Sequence, residues 1–273
     1  MTGVTLSWSV LVWALAVASA ACVMCLVAIV ALRWSRRRRT RREERARSRV
    51  RPVVLGVLAA EDDELSEAVE RLRQLPSARW PAAERYVLQT LSEVRGASRD
   101  ALVRVLVDRG TMTAAMRESR GRSAIRRARA AEVLGLLARP DARRRLIHLT
   151  ADPSRDVRTV AVRALGSLED PALTATILAT LDAERSVPAS VVGTALLRAR
   201  DADTGALRDA LASASVPVRA TAAAVAGHLL VTDLAVPVSV LHEHDPSAVV
   251  RSAAAQSMAR FGSDDTTDSE VYG

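Results

Sequence analysis

The sequence predicts an all-α protein: one transmembrane helix, then a solenoid of antiparallel helix pairs. Three observations lead there. Residues 1–32 carry no charged side chain and include a 23-residue apolar run. A dense arginine block follows at once, at residues 33–51. Farther on, one ten-residue pattern recurs at spacings of 29 to 32 residues.

The apolar run at 10–32 is interrupted by one clearly polar residue, Ser19. At about 1.5 Å per residue it reaches about 34 Å, enough for a hydrocarbon core of about 30 Å. Trp8, Trp13 and Trp34 lie near its ends, where amphipathic rings favour the membrane interface. A cleaved signal peptide needs a basic start and a shorter apolar stretch. Here no basic side chain precedes Arg33, so the sequence predicts an uncleaved anchor. Cys22 and Cys25 lie inside the run. There they read as small apolar packing residues, with lipid modification as the alternative, because thiolates are costly in hydrocarbon.

Residues 33–51 hold 11 arginines against Glu43 and Glu44, and residues 52–273 hold 28 arginines against 29 acids. The net charge of +8 is therefore the work of one segment. Arg36, Arg37, Arg38, Arg39, Arg41 and Arg42 form its centre. Positive residues beside a span stay in the cytoplasm, which places residues 1–9 outside and 33–273 inside a plasma membrane. These arginines also suit anionic lipid headgroups, at about 1 kcal/mol each near the surface. A nucleic-acid interface would spread its basicity over a domain face, so no nucleic acid is expected as a partner.

The chain has no lysine. That excludes a Walker phosphate loop and a Schiff-base enzyme. Beyond the apolar run it has no cysteine nucleophile either. An enzymatic role and a bound cofactor are not expected.

Residues 52–120 read as atypical helices capping the solenoid. Leu65, Val69, Leu72 and Leu75 fall at helical spacing within 61–75, and Pro76 and Pro81 bracket a break. Helices follow at 82–95 and 98–109, divided by Gly96 and stopped by Gly110.

Residues 121–262 are the repeats. RRARAAEVLG (126–135), VRTVAVRALG (157–166), VRATAAAVAG (218–227) and VRSAAAQSMA (250–259) align without gaps, and ASVVGTALLR (189–198) is a degenerate copy. Their second positions are Arg127, Arg158, Ser190, Arg219 and Arg251. Within one repeat, Val157, Ala161 and Leu165 share a face of the first helix, and Leu173, Ile177 and Leu181 share a face of the second. Such a period means stacked helical units that bury their apolar faces only against neighbours. A corner with Asp and Pro precedes two first helices, with Asp152 six residues before Arg158 and Asp245 six before Arg251. The tail at 263–273 is acidic and polar and reads as disordered.

D-P-S-x-x-V-R-x-x-A-x-x-A-L-G at 152–166 and D-P-S-x-x-V-R-x-x-A at 245–254 resemble the HEAT-repeat family, especially its short bacterial form, also seen in phycobilin-lyase-like proteins. The resemblance implies a right-handed α-solenoid. It also implies that Asp152, Arg158, Arg219, Asp245 and Arg251 belong to an internal ladder joining successive repeats. An anion-binding row is the alternative for these arginines. The copy at 189–198 departs from the pattern, with Ser190 in place of arginine and Asp182 as a nearby acid. In function the resemblance implies a membrane-anchored scaffold or adaptor that binds another, membrane-associated protein. Envelope glycosyltransferase machinery is the partner class it suggests. A bilin-lyase-like enzyme or enzyme subunit is the alternative, with a nucleic-acid-binding protein third.

Two local clusters remain. His242, Glu243, His244 and Asp245 contain metal-ligating types, but positions two apart on a helix diverge, so no metal site is expected. Arg143, Arg144 and Arg145 form a basic patch that reads as a solvated surface, with a phosphate site as the alternative.

Overall fold

The computed structural model describes residues 48–60, 62–199 and 201–269, with a few isolated positions between 13 and 44. Within these residues all regular structure is helical. The 10–32 segment and the arginines at 36–39, 41 and 42 lie outside them, except for single positions within 10–32. Among the described residues, no helix is long and apolar enough to cross a membrane. The chain divides into two compact units, Met1–Thr90 and Leu91–Gly273.

In the first unit, residues 48–59 are helical and bury Val50, Val54 and Val57, spaced to share one face. Helices α1 (Asp62–Arg73) and α2 (Trp80–Thr90) follow. Pro81 does not break α2, because it occupies the first turn, where a missing N–H costs nothing. Trp80, Ala83 and Val87 are the buried side of that helix.

The second unit opens with α3 (Ala97–Asp108) and α4 (Thr111–Glu118). Both enter from a glycine at positive φ, Gly96 at 72° and Gly110 at 84°, a conformation that favours a residue without Cβ. These two helices therefore fold with the repeats, although the sequence groups them with the preceding helices.

The repeats proper are built from pairs. The first helices are α5 (Ala124–Leu137), α7 (Arg155–Gly166), α9 (Ala189–Ala199), α11 (Val216–His228) and α13 (Ala248–Ser269). Between them come α6 (Arg143–Leu149), α8 (Thr174–Ala179), α10 (Thr204–Leu211) and α12 (Ala235–His244). Each first helix packs on the next, so α5, α7, α9, α11 and α13 make one continuous row. In the other row, α8 meets α10 and α10 meets α12. This is a helical solenoid. One apolar core runs through it, including Leu134, Leu165, Leu196 and Val225 of the first row and Leu146, Ile177, Leu207 and Val238 of the second. The last helix runs on to Ser269, so 263–269 is helical where the sequence predicts disorder. No proline stops it after α13 begins, and one internal glycine, Gly262, costs a helix only about 1 kcal/mol.

Three turns between first and second helices place a non-glycine residue in the left-handed region: Ala138, Glu169 and Leu230, at φ 48°, 50° and 52°. Each stands eleven residues after its repeat's arginine. The same reversal thus recurs wherever the repeat is intact.

Close approach within the first row depends on missing Cβ atoms. A Cβ on Gly135 would stand 2.7 Å from Cα of Ala164, and one on Gly166 would stand 2.8 Å from Cα of Ala195. A Cβ on Gly227 would stand 2.6 Å from Cα of Ser257. In the degenerate repeat this slot is Arg198, which reaches Ser167 Oγ at 3.4 Å instead. Gly193, by contrast, has no atom nearer than Thr221 Cγ2 at 3.9 Å.

These two kinds of glycine should respond oppositely to alanine. Gly166→Ala drives a methyl into main chain and should lower stability by about 1 kcal/mol or more. Gly193→Ala fits and should raise it by roughly 0.5–1 kcal/mol through helix propensity. Thermal unfolding of the full chain, followed by circular dichroism, checks both signs.

Candidate functional site

The corner before each first helix is held by that helix's own arginine. Arg127 Nη1 donates to the carbonyls of Gly121 and Arg122 at 3.1 and 2.8 Å. Arg158 repeats this with Asp152 and Pro153 at 2.9 and 3.1 Å, and Arg219 with Ser213 and Ala214 at 2.8 and 2.9 Å. Arg251 does the same with Asp245 and Pro246 at 2.8 and 3.1 Å. The six-residue spacing of Asp and Arg thus reflects a main-chain clamp, not a carboxylate pair within the repeat.

The carboxylate is used across repeats. Arg127 donates Nε and Nη2 to Asp152 Oδ2 and Oδ1 at 2.7 and 2.8 Å. Arg219 forks onto Asp245 in the same way, at 2.7 and 3.1 Å. Each aspartate also accepts the N–H two residues on, from Ser154 and Ser247, both at 2.8 Å. Both aspartates are buried, so every lone pair they satisfy offsets lost hydration. Burial pushes the Asp152 carboxyl up, but the Arg127 fork and the Ser154 N–H outweigh it and hold it below its ordinary value. At Asp245 the Arg219 fork dominates and the shift is again downward.

Two rungs are not formed. Arg158 is buried, yet its Nε has no hydrogen-bond partner among the described residues. Glu184 stands six residues before Ser190, in the place of the aspartate, but is exposed. In the next rung both partners are absent, with Ser190 replacing arginine and Ser213 replacing aspartate. Ser213 Oγ still accepts the Ser215 N–H at 3.1 Å, which keeps the corner's local bond without its charge. Asp182 accepts a hydrogen bond from Ser215 Oγ across the joint.

The basic patch on α6 resolves into three different arginines. Arg143 pairs with Asp170 at 2.9 Å. Arg145 donates Nε to Ser119 Oγ at 2.8 Å and Nη2 to the Ser119 carbonyl at 2.5 Å, tying α6 to the end of α4. Burial, then the nearby Arg120, lowers the Arg145 pKa from its ordinary value. Arg144 is exposed and pairs with no acid among the described residues. Arg120, Arg144 and Arg145 border one cavity of about 840 Å³. Sequence reasoning missed Arg120 and Ser119, which lie 25 and 26 residues before Arg145, and it did not include Arg127 in the ladder.

The cluster at 242–245 does not converge. His244 Nδ1 lies 3.8 Å from Glu243, both side chains being exposed, while Asp245 is committed to Arg219. Among the described residues no group of side chains is placed to hold a metal ion.

Against known proteins, the family model for HEAT repeats matches residues 112–196. That span is similar to HEAT repeats and holds α4 to α9. No curated protein matches it. Among solved structures, an engineered protein solved by a structural genomics consortium is 15% identical, with 78% of this chain and 96% of that one covered. Its TM-score is 0.27.

The geometry ranks the ladder residues. Arg219→Ala strands a buried carboxylate and should lower the melting temperature by several degrees, more than Arg158→Ala, which strands none. Ser190→Arg combined with Ser213→Asp restores both ends of the missing rung. In a double-mutant cycle the pair should be more stable than the sum of the single changes, with a coupling on the order of 1 kcal/mol.

A pH series reads the same bonds. Because both carboxyls sit below their unfolded value of 3.8, their contribution is fully present above that pH. It is lost as pH falls through the lower folded values. The melting-temperature gap between wild type and Asp245→Asn should therefore narrow in acid below about pH 4.

Proposed function

We propose that this chain is a membrane-anchored scaffold whose solenoid is held at the cytoplasmic face and binds another, membrane-associated protein. HEAT repeats are interaction scaffolds, and the observation that carries the reading is an exposed apolar row on α12. Val236 and Val240, one helical turn apart, are 74% and 53% exposed. Val249 at the start of α13 is 64% exposed. Exposed apolar side chains one turn apart on a repeat helix suit a protein partner.

Membrane attachment rests on the 10–32 run and the arginines behind it. Envelope glycosyltransferase machinery is the partner class that the family resemblance favours.

Two measurements test the reading. A reporter active only in the cytoplasm, fused after Gly273, should be active, and activity of an export-dependent reporter instead would reverse the topology. A photo-cross-linker at Val236 or Val240 should capture one defined membrane protein in native membranes, while the same group at Arg163, on the first row, should not. Equal capture from both positions would remove α12 as the docking face.

A further inference from the structure

We infer that the cavity between α4 and α6 is a binding site for a phosphate ester that carries an apolar group. Its charged side is made by Arg120, Arg144 and Arg145. No acid lies within ion-pair distance of any of them among the described residues, and Asp141 is the one carboxylate on the rim. Arg143, next along the rim, is already spent on Asp170. Three guanidiniums against one carboxylate leave a surplus of positive charge in one concave place.

The arrangement is built, not incidental. Arg145 is half-buried and fixed by two bonds to Ser119, itself buried, so its guanidinium is pre-set, and among the described residues its Nη1 has no protein acceptor. Burial first, and then the neighbouring Arg120, holds the Arg145 pKa below its ordinary value, so the two guanidiniums repel in a partly dehydrated place. An anion bridging the two relieves that repulsion. Planar guanidiniums present paired donors that match the oxygens of a phosphate.

His148 and three apolar side chains complete the wall. Met116 comes from α4, Ile147 from α6 and Pro140 from the turn before α6. Such walls exclude bare inorganic phosphate as the best ligand, because they offer it nothing to bury. A cavity of about 840 Å³ has room for a phosphate and an attached organic body. Two sources carry that chemistry: a soluble phosphate ester and the headgroup region of an anionic phospholipid.

Phenyl phosphate is a suitable probe, titrated calorimetrically into the full chain in a non-ionic detergent, with inorganic phosphate as comparison. Arg120→Gln with Arg144→Gln removes two exposed side chains that hold nothing in the fold, so the melting temperature should be unchanged. Phenyl phosphate should bind more tightly than inorganic phosphate and lose about tenfold or more in affinity in the double variant. The chain is then placed in nanodiscs of phosphatidylglycerol or of phosphatidylcholine. If only phosphatidylglycerol blocks phenyl phosphate, a lipid headgroup is the occupant; if neither blocks it, the occupant is a soluble ester. Absence of phenyl phosphate binding in detergent, or equal affinity in wild type and double variant, would overturn the site.

Discussion

The structure of the repeats depends on what one guanidinium can do at once. Its Nη1 ties down the carbonyls of the corner behind it, and its Nε–Nη2 edge reaches the aspartate of the following repeat. A corner has main-chain carbonyls that no helix uses, and burying them unpaired would be costly. The arginine removes that cost and uses its remaining donors to fix the register of the neighbour. Buried ion pairs contribute little net stability after desolvation, but they do specify one alignment over others. Arginine can fill this role where lysine cannot, because its donors are fixed in a plane.

Register has consequences at other points of the stack. It brings Gly135 against Ala164, Gly166 against Ala195 and Gly227 against Ser257, where main chains nearly touch. It also sets α6 beside the end of α4, so that Ser119 can receive Arg145. A scaffold reading and a ligand pocket are compatible on these terms. In the proposed reading a partner protein would use exposed side chains of α12, whereas the pocket lies between α4 and α6 near the start of the stack. The near-neutral charge of residues 52–273 conceals this local surplus, since sums over a chain say nothing about which charges are neighbours.

Much of this was legible in the sequence because the repeat writes the same instruction several times. Alanine and leucine periodicity identified the helices, and the recurring V-R identified the first helix of each pair. The direction of the aspartate bond was not legible. Asp152 and Arg158 look like partners at six residues, whereas the true partner of Asp152 is Arg127, 25 residues earlier. The pocket was hidden for the same reason: Arg120 and Arg145 become neighbours only after stacking. The left-handed turns at Ala138, Glu169 and Leu230 carry no glycine or asparagine to mark them. Helix at 263–269 ran against composition, which reports the taste of residues for water and not whether a preceding helix is free to continue.

The joint between α9 and α11 has lost its arginine, its aspartate and its glycine together: Ser190, Ser213 and Arg198 stand in their places. In a stack where each repeat feels only its neighbours, folding spreads by nearest-neighbour coupling. One weak link then divides a single cooperative transition into two. The repeats before it and those after it become separate foldons, each able to open while the other stays closed. A stack divided in this way can loosen at its C-terminal end while its N-terminal repeats stay packed.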